Sequence, residues 1–187
     1  MPTRAIFLDR DGVINENRPD YVKTWQEFIF LPRAFAALAK IAASDFVIVV
    51  TTNQSGIARQ RMTQAALDDI HARMLAEIAA RGGRIDAVHF CPHDTNAGCD
   101  CRKPKTGMYV RAARDFEIDF ARSYLIGDAQ EDIAAAQSIG VQPILVRTGR
   151  GAEHREKLLG NGNSKFHTAD DLLDAVNWIW RREMLEK

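Results

Sequence analysis

An apolar run, Ala5-Ile6-Phe7-Leu8, stops abruptly at Asp9-Arg10-Asp11-Gly12, and this stretch constrains everything else in the chain. The run reads as a short buried strand, and the glycine after the carboxylates as its exit into a loop. In extended backbone, side chains two positions apart point the same way, so Asp9 and Asp11 share one pocket. Two like charges held that close repel, which calls for a bound cation or a shared proton. The expectation is a metal-dependent catalytic centre to which the rest of the chain presents ligands.

The same pattern recurs downstream. A strand over residues 46–50 ends in Thr51-Thr52-Asn53-Gln54-Ser55-Gly56, and one over 123–126 ends in Gly127-Asp128. Strands are also expected over 85–90, running into a cysteine-bearing loop, over 143–146, and at an edge over 165–167. Between them fall helices over 32–43, from an N-cap at Thr63 to Gly82-Gly83, over 107–116 and over 131–139. A closing helix with Leu172, Leu173, Val176, Ile179 and Trp180 inward follows a Thr168–Asp171 capping box. Helices alternating with strands predict an α/β, Rossmann-like three-layer domain, with a mostly parallel sheet covered on both faces. Residues 1–187 read as one domain with no repeat, and the intervals between motifs leave no room for a large cap domain. In such sheets ligands bind beyond the carboxyl ends of the strands. Three separate strand ends there supply polar groups.

Charge narrows the partners. Lys plus Arg and Asp plus Glu each number 25, so net charge gives no reason to expect nucleic acid or a membrane surface. No apolar stretch is long enough to span a bilayer, and Asp9, Arg10 and Asp11 interrupt any amino-terminal signal segment. The expectation is a cytoplasmic monomer acting on a small molecule. There the crowding of Cys91, Cys99 and Cys101 points to metal rather than disulfides.

Asp9, Asp11 and a third carboxylate, Asp128, suit a hard cation such as Mg²⁺. Thr52 offers a hydroxyl and Lys103 an ammonium, and backbone N–H groups around Arg10 and Asp11 add donors, which counts Arg10 among the substrate-binding residues. That set fits a phosphoryl group, with Asp9 as nucleophile. Asp11 would be general acid for the leaving oxygen, then base for the water that cleaves the aspartyl-phosphate. Taken singly each is ordinary: Asp-Gly makes turns, Thr52 and Asp128 cap helices, Lys103 is solvated. Together, in this order, they resemble the four motifs of the haloacid dehalogenase superfamily of phosphohydrolases, over residues 6–132. The resemblance implies Mg²⁺ on the Asp9 side chain, the Asp11 backbone carbonyl and Asp128, with Thr52 and Lys103 stabilising the phosphoryl group. Val13 departs from the threonine common in that superfamily. Asp132 either binds metal through water or orients loops.

Cys91-Pro92-His93 followed by Cys99-Asp100-Cys101 gives a Cys₃His set, a tetrahedral zinc combination. Four protein ligands close the sphere, so the Zn²⁺ is expected to be structural, and to position Arg102 and Lys103. The alternative is a mobile loop with free thiols. His89, within an apolar strand, reads as a packed histidine. Cys-Pro-His followed by Cys-x-Cys-Arg-Lys-Pro resembles two related families, the heptose 1,7-bisphosphate phosphatases and the histidinol-phosphate phosphatase domains. A free-standing chain of this length is closer to the heptose family. That resemblance implies substrate contacts from Asn15, Asn17, Arg18 and Tyr21, from Asn53, Gln54 and Ser55, and from Arg102. The loop 147–151 is either a distal-phosphate contact or a plain turn. A reading from another class is a non-catalytic zinc-dependent binding module.

Overall fold

In a computed structural model, which describes residues 2–185, β1 (Ala5–Leu8) lies inside a parallel sheet. The other strands are β2 (Val47–Asn53), β3 (Ala87–Cys91), β4 (Tyr124–Gly127), β5 (Gln142–Val146) and β6 (His167–Ala169). Their order is β3-β2-β1-β4-β5-β6, and every pairing is parallel. The strand order reverses between β1 and β4, which opens a crevice at their carboxyl ends.

The helices are α1 (Ala34–Ala42), α2 (Gln64–Ala80), α3 (Gly107–Phe116), α4 (Gln130–Ile139), α5 (Gly151–Gly160) and α6 (Leu172–Leu185). Alternation along β1 sorts them into layers. Ile6 and Leu8 point to a core shared with α1, α2 and α6 through Leu38, Leu67, Ile70 and Val176. Ala5 and Phe7 point the other way, to Tyr109 of α3 and Ala135 and Ala136 of α4. Phe7 and Tyr109 meet edge-on, with ring centroids 5.1 Å apart. Among the described residues no helix is long and apolar enough to cross a membrane.

The six strands and the helices on both faces agree with the sequence reading, and several boundaries move. β2 continues to Asn53, so Thr52 belongs to the strand rather than the loop after it. α1 starts at Ala34, behind Arg33 in a left-handed conformation (φ 65°), not at Pro32. α5 was not foreseen; its buried residues are only Gly151, His154 and Leu158, too sparse for a helical stripe. The capping box before α6 is displaced by three residues: the Asp171 carboxylate accepts from the Asp174 amide at 2.9 Å, and Asp174 accepts from the Asp170 amide at 3.2 Å. Thr63 caps α2 as expected, accepting from the Ala66 amide at 3.1 Å.

Candidate active site

The ends of β1, β2 and β4 converge on a cavity of about 490 Å³ lined by Asp9, Asp11, Thr52 and Lys103. Lys103 comes from the loop before α3, and Asn53 holds that loop in place. The Asn53 side chain accepts from the Lys103 amide at 3.1 Å and donates to the Lys103 carbonyl at 3.2 Å. The Lys103 ammonium is then fixed by the Thr51 carbonyl at 2.9 Å, Asp9 at 2.8 Å and Asp132 at 2.6 Å. Burial opposes its charge, yet Asp132 and Asp9 hold it protonated, well above the usual lysine range.

Asp9, Asp128 and Asp132 each offer a carboxylate oxygen, all within 4.8 Å of one another. Glycines permit the crowding. Gly12 has φ +88°, and a Cβ there would meet Asp128 Oδ2 at 2.2 Å; one on Gly127 would meet the Asp132 side chain at 2.3 Å. Asp128 Oδ2 accepts from the Arg150 amide at 2.8 Å, whereas its buried Oδ1 has no hydrogen-bond partner. That buried oxygen, with the Arg150 guanidinium 3.5 Å away, faces two further carboxylates, an arrangement a hard divalent cation satisfies, so these residues fit Mg²⁺. Burial and the neighbouring acids push Asp9 up to about 7 and Asp128 up to about 6. Protons therefore compete with the cation at mildly acid pH. The rise in melting temperature caused by Mg²⁺ should be small near pH 5 and large near pH 8, since metal binding needs the deprotonated ligands. Calorimetry at the two pH values checks this; an equal rise at both would contradict it.

Asp11 is held differently. Arg10 Nη2 spans both of its oxygens at 3.1 and 3.0 Å, Asn15 donates to Oδ1 at 2.9 Å, and Gln54 donates to Oδ2 at 2.8 Å. Burial alone would raise Asp11, but the Arg10 charge and these donors hold it below the usual carboxylate range. The same Gln54 amide donates to Thr52 Oγ1 at 2.8 Å, which leaves the Thr52 hydroxyl hydrogen for another acceptor.

Behind the Lys103 loop, Cys91, His93, Cys99 and Cys101 gather their donor atoms within 4.8 Å. The separations run from 3.1 Å (Cys101–Cys91) through 3.3 Å (His93 Nδ1–Cys101) to 3.7 Å (Cys91–Cys99), and none of the three thiols is in a disulfide. The edge of a tetrahedron around Zn²⁺ with thiolate bonds of about 2.3 Å is about 3.7 Å, so the four side chains fit that ion. Arg102 donates to the His93 carbonyl at 3.3 Å, which ties the rim of the cavity to this cluster.

Residues 100–175 match a family model described as HAD-hydrolase-like. A protein of Pseudomonas aeruginosa named D-glycero-beta-D-manno-heptose-1,7-bisphosphate 7-phosphatase is 40% identical over 172 residues, covering 92% of this chain and 95% of its own. The protein of that name in Neisseria meningitidis is 39% identical over 179 residues, covering 94% of both. The chain belongs to the heptose-bisphosphate phosphatase family. A crystal structure from that family, the D,D-heptose 1,7-bisphosphate phosphatase of B. bronchiseptica complexed with magnesium and phosphate, superimposes with a TM-score of 0.89. It is 37% identical and covers 96% of this chain and 99% of that one.

For a member of the heptose-bisphosphate phosphatase family, the cavity gathers most of the residues expected from sequence. Asn17, Arg18, Tyr21, Asn53, Gln54, Ser55 and Arg102 line it with the four named above. Tyr21, at φ 60°, reaches Ser55 Oγ at 3.3 Å. Asp128 adjoins it through Arg150. Asn15 is absent from that lining, fully buried with its amide on Asp11 Oδ1 at 2.9 Å, and so is Arg10. The Arg10 side chain is fully buried and points away from the cavity, and its amide donates to Asp9 Oδ1 at 2.8 Å. Strand alternation gives the reason: Arg10 follows Ile6 and Leu8 onto the face opposite Asp9 and Asp11. The Arg10 side chain is thus a partner of Asp11, while its amide, the donor expected from sequence, faces Asp9. Asp132 joins the carboxylate cluster, whereas the Asp11 side chain is absent from it. Arg150, from the loop 147–151, is on the cavity wall, and sequence reasoning passed over Arg59 and Glu131 beside it. It also passed over His71 beneath the site, although its place one residue after Ile70 on the inward face of α2 was a usable signal.

Proposed function

We propose that this chain removes the C7 phosphate of a D-glycero-D-manno-heptose 1,7-bisphosphate through an aspartyl-phosphate on Asp9. The observation that carries the chemistry is the Asp9 carboxylate 2.8 Å from the Lys103 ammonium, in one cavity with Asp11 and Thr52. Asp9 attacks phosphorus and the bond to the C7 oxygen breaks. Asp11 gives its proton to that oxygen, then takes one from the water that attacks the aspartyl-phosphate and frees Asp9. A dianionic phosphate beside Asp11 raises its proton affinity against the pull of Arg10, which lets it arrive protonated. Lys103 and Thr52 donate to the phosphoryl oxygens. Asp9, Asp128 and the Asp11 carbonyl would hold Mg²⁺, which when bound would supply positive charge at the phosphoryl group, and Asp132 orients Lys103 from behind.

Substrate choice rests on family membership and on the arginines of the rim. Arg102 reaches the sugar or its second phosphate with a guanidinium fork, held by the zinc loop. Asn17, Arg18 and Tyr21 enclose the sugar opposite Asn53, Gln54 and Ser55. Residues 1–187 act as one catalytic domain, monomeric and cytoplasmic, where thiols stay reduced for zinc. Comparing kcat/KM on heptose 1,7-bisphosphate and histidinol phosphate tests the assignment. A ratio of about 100 or more in favour of the bisphosphate is expected, as befits one charged group bound at a second site. A preference for histidinol phosphate overturns the substrate and leaves the chemistry standing.

A further inference from the structure

Arg10 and His71 form a buried pair for which the reaction described above has no role. The Arg10 side chain is fully buried and His71, on α2, is 7% exposed. Arg10 Nη1 and His71 Nε2 lie 3.1 Å apart, while Arg10 Nη2 spans the two oxygens of Asp11. Arginine has no acceptor, so His71 Nε2 accepts and the imidazole is neutral. Burial and the Arg10 charge push its pKa down to about 4, in keeping with that state. Phe28 flanks the guanidinium at 5.9 Å, and Phe90 flanks the imidazole at 5.9 Å. Nε of Arg10 has no hydrogen-bond partner among the described residues, so the polar contacts that orient the guanidinium are those to His71 and Asp11.

We propose that His71 is a positioning residue for proton transfer: it fixes the Arg10 guanidinium, which braces the Asp11 carboxyl group so that its acidic O–H faces the leaving oxygen. Asn15 and Gln54 hold the two oxygens of Asp11 from its flanks, at 2.9 and 2.8 Å. Each of these holds one oxygen, whereas Arg10 contacts both and so fixes the tilt of the carboxylate. Without an acceptor at position 71, one guanidinium nitrogen is orphaned in the core and turns to find a partner, drawing Asp11 with it. Misplacing a proton donor costs rate in proportion to how much the leaving group needs the proton.

This rests on the reading of Asp11 as acid, and the experiment separates the two. Rates are measured on the heptose bisphosphate, whose alkoxide needs a proton, and on p-nitrophenyl phosphate, whose phenolate leaves without one. His71→Leu is expected to lower kcat on the sugar phosphate about 30- to 100-fold with KM within about twofold, and to change the aryl phosphate less than about threefold. His71→Gln, whose amide oxygen can accept from Arg10, is expected to restore most of the sugar-phosphate rate. His71→Asn, one methylene shorter, is expected to behave like Leu and carries the comparison if the Leu variant does not fold. Equal losses on both substrates, no loss, or no rescue by Gln overturns the brace. Asp11→Asn is the reference. If it separates the two substrates and the position-71 variants do not, only the brace is wrong. If Asp11→Asn itself treats them alike, the acid role falls and the brace falls with it.

Discussion

Asp9→Asn is expected to lower phosphate release at least about 10⁴-fold, since the amide cannot attack phosphorus and no neighbouring group can replace it. Asp11 cannot take over, because Arg10, Asn15 and Gln54 occupy its oxygens. Asp132 cannot either, because it is bound to Lys103 and to the Ala129 amide. The substitution is nearly isosteric, and it removes one charge from a cluster that burial already disfavours, so the variant should fold. Phosphate release, with zinc content and a melting curve as controls for folding, checks it. Release within tenfold of the unsubstituted chain, from folded protein, removes Asp9 from its role.

Removing zinc is expected to have the second largest effect. The loop from Cys91 to Cys101 has almost no apolar content of its own: Cys91, Cys101 and Met108 form its small buried cluster, and positions 95–98 are exposed. What holds it apart from the metal set is a handful of polar contacts, such as Arg59 to Asp94 at 2.7 Å and Lys105 to the Cys99 carbonyl at 2.7 Å. Exposed pairs of that kind contribute little. Structural zinc, by contrast, is worth about 10 kcal/mol or more when a site forms only with metal. Lys103 follows Cys101 by two residues, so a loosened loop releases the ammonium from Asp9. Chelated protein should lose activity about 100-fold or more, excess Mg²⁺ should not restore it, and one equivalent of Zn²⁺ should. Activity retained in zinc-free protein would mean that Asn53, through its two bonds to Lys103, suffices to place the loop.

How legible this was in the sequence depended on how local the signal is. Asp9, Thr52 and Asp128 could be found because each ends an apolar strand, and the parallel α/β class followed from the alternation of elements. The zinc set was visible because all four ligands fall in one loop. The place of the Arg10 side chain follows from alternation along the strand, the same rule that pairs Asp9 with Asp11. His71 was missed because its meaning is non-local: sixty-one positions separate it from Arg10, and only the packing of α2 under β1 joins them. The contact of Asp132 with Lys103 at 2.6 Å is likewise non-local, since the loop before α3 brings the lysine to the first turn of α4. α5 and the cap of α6 were lost for a plainer reason, since charged, weakly patterned segments give periodicity nothing to detect.

The phosphorylated state of Asp9 offers the most direct test. Asp11→Asn should slow hydrolysis of the intermediate by removing the base for water, so the variant mixed with p-nitrophenyl phosphate, whose phenolate leaves without a proton, and quenched in acid should carry phosphate. Mass spectrometry of the proteolysed protein is expected to find that phosphate on the peptide containing Asp9, and on no other. An acid-stable phosphate elsewhere, or none in protein that still releases phosphate, would contradict covalent catalysis at Asp9.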